Sequence, residues 1–145
     1  MKRRNIILIG VIFGEKGTGK TKRLLSHAND KAKSAKGSIV FIDDDNSYMF
    51  DLSTSIRFIN AAEYSLCSPE RLIGFIAGIA AQDFDLETVY LDGFKNYVNC
   101  ELSELEFFFN SLSAFCDQHK LEIILSISGQ KEELPDFIKP LILAD

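Results

Sequence analysis

Residues Gly14-Glu15-Lys16-Gly17-Thr18-Gly19-Lys20-Thr21 set two glycines, Gly14 and Gly19, with four residues between them and follow the second at once with lysine and threonine. Residue types in this order suit one kind of chemistry, the holding of phosphate. Glycine lets the backbone wrap tightly enough for successive N–H groups to point inward at an anion. Lys20 has the length and charge to reach the β- and γ-phosphates of a nucleotide, and the Thr21 hydroxyl can ligate the magnesium that accompanies them. The candidate nucleotide-binding set is therefore Gly14, Glu15, Lys16, Gly17, Thr18, Gly19, Lys20, Thr21 and the adjoining Lys22.

Such a loop binds anions when it joins a strand to a helix N-terminus. The apolar run Ile6-Ile7-Leu8-Ile9-Gly10-Val11-Ile12-Phe13 reads as a buried first strand. After the loop, the spacing of Leu24, Leu25, Ala28, Ala32 and Ala35 predicts a helix over 20–35, with Gly37 as its stop. Ser38-Ile39-Val40-Phe41-Ile42 is a second strand, and Ile56-Arg57-Phe58-Ile59 a short one. Ser68-Pro69-Glu70 opens a helix to about residue 81: a hydroxyl cap, proline in the first turn and an acid near the positive end of the dipole. Leu72, Ile73, Phe75, Ile76 and Ile79 make that helix apolar almost all round, hence buried.

Thr88-Val89-Tyr90-Leu91 is the third strand of the main series. Ser103-Glu104-Leu105-Glu106 has the form of a capping box, and Leu105, Phe108, Phe109, Leu112 and Phe115 then keep helical spacing as a core stripe. The fourth strand covers 121–127. A short helix near 135–139 precedes a last apolar piece, Leu141-Ile142-Leu143. This alternation predicts a single α/β domain: a three-layer α-β-α sandwich around a mainly parallel five-stranded sheet.

In such a sheet ligands meet the carboxyl ends of the strands. Polar groups stand there at Asp43-Asp44-Asp45-Asn46, at Asp92 and at 126–130. An apolar strand ending in aspartate supplies a carboxylate that orients hydrated magnesium, so Thr21 and Asp92 form the metal pair. Asp92-Gly93 is also a common turn pair. Gly93 stands where many hydrolysing enzymes with this loop carry a glutamate, so a water-activating base must come from elsewhere. The three aspartates read equally as a solvated turn or as the source of that base. Ser128 and Gln130 read first as a polar turn.

Phe41-Ile42-Asp43-Asp44-Asp45 resembles the end of the second strand in RecA-like P-loop NTPases. Recombinases of that family read Phe-Ile-Asp-Ala-Glu there, and the last acid activates the attacking water. The resemblance maps that carboxylate onto Asp45 and makes Asp45 and Lys20 the catalytic pair. Leu66-Cys67-Ser68-Pro69, the apolar helix and Val89-Tyr90-Leu91-Asp92 follow in the family's order. Ile124-Leu125-Ser126-Ile127-Ser128-Gly129-Gln130 is similar to its fourth strand, which ends near a polar group that senses the γ-phosphate. The resemblance implies strand order 5-1-4-3-2 and ATP with Mg2+ as cofactors. Two departures matter: Asp45 is shorter than the family's glutamate, and only about fifteen residues follow the fourth strand. The chain looks like a minimal nucleotide-binding core, and recombination is not implied.

Composition narrows the rest. At 145 residues, 46% hydrophobic and 26% charged, the chain has the profile of one ordinary globular domain. Cys67, Cys100 and Cys116 are an odd, widely spaced set without a CxxC pair, which argues against disulfides or zinc and for a reducing cytoplasm. No apolar run reaches membrane-spanning length. Met1-Lys2-Arg3-Arg4 and the apolar run after it resemble a signal peptide, but that run passes straight into the loop.

Residues 1–36 hold ten Lys/Arg against two acids, the remainder six against nineteen. Nucleotide binding and the dipole of the first helix account for much of this bias, so nucleic acid is not the favoured partner. No Asn-Lys-x-Asp sequence is present to read guanine, which favours ATP over GTP. His27 and His119 fall in helix patterns, as packing or surface residues. The leading expectation is a slow or partner-activated Mg-dependent ATPase, since neither Arg57 nor Arg71 is placed as a finger. One alternative is a nucleotide-switched module that binds a protein partner or itself through Phe107, Phe108 and Phe109. The other is a small-molecule kinase in which Asp43 or Asp44 takes the acceptor's proton.

Overall fold

The computed structural model describes residues 8–144. The basic residues 2–4 and the first two isoleucines of the predicted first strand lie outside the described residues. The strands are β1 (Ile9–Gly14), β2 (Ser38–Asp43), β3 (Ile56–Asn60), β4 (Leu86–Leu91) and β5 (Glu122–Ser128). The helices are α1 (Lys20–Ser34), α2 (Pro69–Gln82), α3 (Phe94–Tyr97) and α4 (Glu106–His119). All strand pairs are parallel, in the order β1-β5-β4-β2-β3.

The central run agrees with the predicted order, but the fifth strand is not at the predicted edge. Ile56–Asn60 pairs outside β2, whereas beyond β1 the chain makes a single parallel bridge, Val11 to Ile142. The predicted short helix near 135–139 is a turn, and a 3-10 segment, Lys139–Leu141, takes the start of the last apolar piece just before that bridge.

Period-2 alternation along the buried strands divides the core in two. Ile39, Phe41, Tyr90 and Ile124 face α1 through Leu24, Leu25 and Ala28. Val40, Ile42, Val89, Leu91, Ile123 and Leu125 face the other way, toward Leu72 and Ile76 of α2 and Leu105, Phe108 and Leu112 beside α4. The result is the three-layer sandwich.

Several local expectations need correction. Only Leu72 and Ile76 of α2 are buried; Ile73, Phe75 and Ile79 are half covered, so the helix is a surface element with an apolar flank. Its start is as read, with Ser68 Oγ accepting from Arg71 N at 3.2 Å. The predicted capping box does not form, because Leu102–Glu104 turns as a 3-10 segment and α4 begins only at Glu106 with no side-chain cap. Gly37 does not stop α1 through a left-handed conformation. A Cβ there would stand 2.1 Å from the Asp85 carbonyl oxygen, so glycine is required by the close passage of two chain segments.

Candidate functional site

The 14–20 loop is shaped by backbone geometry more than by packing. Gly17 and Gly19 have φ of 86° and 87°, in the left-handed region, and a Cβ on either would meet nothing within 4 Å. Their inner face is therefore open, and a side chain there is opposed by the backbone alone. The Glu15 carbonyl gathers the loop: it accepts from Thr18 Oγ1 at 2.7 Å, from Thr18 N at 3.3 Å and from Lys20 Nζ at 2.7 Å. Burial lowers the proton affinity of the Lys20 ammonium, and the Asp92 charge raises it in part. A largely buried ammonium that rests on a carbonyl beside an open cradle is poised for an anion.

Facing the loop are the ends of β2, β4 and β5. Ile42 is paired with Leu91, and Leu91 with Leu125, so Asp43, Asp92 and Ser126 come almost abreast. Asp92 N donates to the Ile42 carbonyl at 2.8 Å, which locks the two acidic ends together. Ser126 Oγ donates to Asp92 Oδ1 at 2.6 Å and accepts from Gly93 N at 3.2 Å. Asp92 is 5% exposed and Asp43 4%. Burial pushes the Asp43 carboxyl up to about 8, with further increments from the charges of Asp92 and Asp44.

Asp45 is different in kind. It is exposed, its Oδ1 accepts from Ser47 N at 2.8 Å and Ser47 Oγ at 2.6 Å, and those bonds lower its proton affinity. It caps the 3-10 turn Asn46–Asp51. Gly93, with φ of 64°, explains the missing glutamate sterically: a Cβ there would lie 3.0 Å from Asp44 Oδ1 and 3.5 Å from Asp43 Oδ1. The Asp44 carboxylate, just past β2, and the Asn96 amide, also at 3.0 Å, crowd the space that a side chain at 93 would need.

Between loop and floor lies a cleft of about 630 Å³, a size that suits a nucleotide-sized ligand. Lys16, Gly17, Gly19, Lys20, Thr21 and Lys22 line one wall, and Gly14, Glu15 and Thr18 build the turn beneath them. Asp43, Asp44, Asp45 and Asp92 line the other. Thr21 and Asp92 thus face one cleft. Among the described residues no group of three or more His, Cys, Asp or Glu is arranged to hold a metal. One hydroxyl and one carboxylate suit magnesium, which keeps several waters and takes phosphate oxygens as ligands. A second hollow, of about 470 Å³, lies along α1 beside Arg23, His27 and Leu143 and shares Lys22 with the cleft.

Of the other sequence candidates, Ser128 lines the cleft, whereas Gln130 belongs to the turn at Lys131–Glu133, its N–H donating to Glu133 Oε1 at 3.0 Å. Arg71 is held by the Ser65 carbonyl at 3.1 Å. His27 packs on Tyr90 and shares a 2.7 Å hydrogen bond with its hydroxyl. Ser126 stood in the sequence only as the start of the polar strand end 126–130, with no role of its own, although a serine inside Ile123-Ile124-Leu125-Ser126-Ile127 must find a buried partner. Asn96 and Tyr48, also on the cleft wall, carry no such signal.

No protein-family model matches the chain, and no curated protein does. Among solved structures it is similar to the flagellar accessory protein FlaH from Methanocaldococcus jannaschii, with a TM-score of 0.54 and 15% sequence identity. The similarity covers 91% of this chain and 65% of that one, so this chain spans less than two thirds of that protein's length. At this identity the likeness is one of fold, a five-stranded parallel α/β sheet of RecA-like arrangement.

Proposed function

We propose that the chain binds ATP with magnesium at the 14–22 loop and hydrolyses it slowly, awaiting a partner for full rate. The observation that carries this is the Lys20 ammonium, parked on its own loop's carbonyl at the edge of an open cradle, opposite a floor of buried carboxylates. An arriving triphosphate takes the ammonium off Glu15, and the loop N–H groups and the α1 N-terminus hold the phosphate oxygens. Magnesium, when bound beside Thr21 and Asp92, supplies neutralisation of the β- and γ-phosphate charge. Lys22, which lines both hollows, marks the path by which the nucleoside leaves the phosphate cleft.

Hydrolysis joins a water oxygen to the γ-phosphorus, breaks the bond to the bridging oxygen, and needs an acceptor for the water's proton. We assign that acceptor to Asp43, on the cleft floor, ahead of Asp45, which Ser47 holds on the rim. Burial holds Asp43 protonated in the free chain, and it takes the water's proton only once the positive charge of bound magnesium has ionised it. Lys16, Lys20 and Lys22 are the only cationic side chains among the described residues of the cleft wall. With no guanidinium there to stabilise the departing charge, low intrinsic turnover follows.

The test is phosphate release from Mg-ATP by the wild type, Lys20→Ala, Asp43→Asn and Asp45→Ala, with ATP binding measured in parallel. Lys20→Ala should lose binding. Asp43→Asn should keep binding and lose turnover, while Asp45→Ala retains most of its rate. Loss of turnover in Asp45→Ala alone would return the role to Asp45. A second reading, a nucleotide-switched module, is favoured by Gly93 and by the bare ring of Phe50, 90% exposed just beyond the cleft-lining Tyr48. Tight binding without phosphate release would select it, and phosphate on a small acceptor would select a kinase.

A further inference from the structure

Tyr97 ends α3, four residues after Gly93. It is 8% exposed, with its ring set edge-on to Phe94 at 6.5 Å between centroids. Its hydroxyl is buried and has no hydrogen-bond partner among the described residues. Buried phenols normally pair their hydroxyls, and phenylalanine would fill the same space without leaving a polar atom dry. Burial raises the proton affinity of the Tyr97 hydroxyl first, and then the charges of Asp43, Asp92 and Asp44, in that order. It is therefore a buried donor that lacks an acceptor among the described residues, one helical turn beyond Gly93, where a Cβ would stand 3.5 Å from Asp43 Oδ1.

The surroundings also allow movement. Behind the ring is a cavity of about 210 Å³, lined in part by Leu66, Cys67, Asn96 and Asn99, and Asn96 lines the phosphate cleft as well. Gly93, in its left-handed conformation, is the joint between Asp92 and α3. Asp43 Oδ1 already accepts from Asp44 N at 2.7 Å, and a second donor would fix the plane of that carboxylate.

We propose that Tyr97 is a positioning residue whose hydroxyl donates to the Asp43 carboxylate when Mg-ATP is bound and aims it at the attacking water. This rests on the assignment of Asp43 above.

The experiment is Tyr97→Phe in the full chain, alone and combined with Asp43→Asn, read by kcat and KM for Mg-ATP and by the melting temperature with and without Mg-ATP. The free Tyr97→Phe protein should melt no lower than wild type, because the lost hydroxyl had no partner. Its kcat should fall about tenfold, the worth of one hydrogen bond, with KM unchanged, and the double variant should be no slower than Asp43→Asn. An unchanged kcat, or losses that multiply in the double variant, would overturn the inference. If the wild type binds without turnover, the comparison passes to the Mg-ATP-induced rise in melting temperature. A smaller rise in Tyr97→Phe supports the contact, and an equal rise refutes it. Wild-type turnover by Asp43→Asn exposes failure of the underlying assignment separately, and ends this inference with it.

Discussion

Asp43 and Lys20 carry opposite burdens in the free protein, and both follow from burial. An aspartate held up to about 8 in the folded chain and near 3.8 when unfolded takes up a proton when the chain folds between those values. Between about pH 4 and pH 8 the unfolded chain ionises at this position while the folded one stays protonated. The Asp43 contribution to stability therefore declines as pH rises through that window, with a slope of at most about 1.4 kcal/mol per pH unit. Asp43→Asn should flatten the decline and melt above wild type at pH 8 without ligand, while losing turnover. A denaturation series across pH 5–8 checks it, and parallel curves for the two proteins would show that Asp43 is ionised throughout. Ser126 makes a second residue-level case. Ser126→Ala removes the 2.6 Å bond to Asp92 and should raise the magnesium concentration needed for half-maximal binding of ATP about tenfold, as one charge-assisted hydrogen bond is worth about 1.5–3 kcal/mol. The loop residues were legible because their spacing is itself the chemistry. The different burial of Asp43, Asp44 and Asp45 was not, since adjacent identical residues differ only in which way the chain turns after β2.

Elements were readable where a period repeats and obscure where one contact decides. The strands β1, β2, β4 and β5 announce themselves as apolar runs, and α1 and α4 keep an apolar stripe at helical spacing. The edge strand β3 has one buried residue, Ile56, and its pairing with β2 depends on a neighbour that no local pattern shows. The capping box at Ser103 fails for a similar reason: burial of Leu102 and Leu105 on the same side draws the chain into a 3-10 turn first. Gly37 turns such a contact into a prediction. Gly37→Ala drives a methyl into the Asp85 carbonyl and should cost about 1–3 kcal/mol, as overpacking does. Chemical denaturation would read this as a lower midpoint at unchanged slope. Gly74→Ala on the open face of α2, where a Cβ meets nothing within 4 Å, should instead stabilise by up to about 1 kcal/mol.

At the scale of the whole molecule, the cleft is the place where four chain segments converge, so its ligand should act on the entire fold. Loop 14–20 belongs to β1 and α1, and the floor to β2, β4 and β5; a ligand that bridges them clamps the sheet between β1 and its acidic strand ends. Binding only to the folded state stabilises by about 2.7 kcal/mol at a ligand concentration one hundred times Kd. For a chain of this size that amounts to a rise of roughly 5–10 °C in melting temperature. Mg-ATP should produce the rise in the wild type and none in Lys20→Ala. GTP should give less than ATP, and ATP with excess chelator less again. An equal rise in Lys20→Ala would move the nucleotide off the loop altogether, and equal rises with ATP and GTP would show that the base is not read. The exposed rings of Phe50, Phe84 and Phe107 sharpen the experiment. A protein that associates through such a surface melts at a temperature that depends on its own concentration. Repeating the series at several protein concentrations separates that contribution from the clamp, because the clamp depends on nucleotide alone.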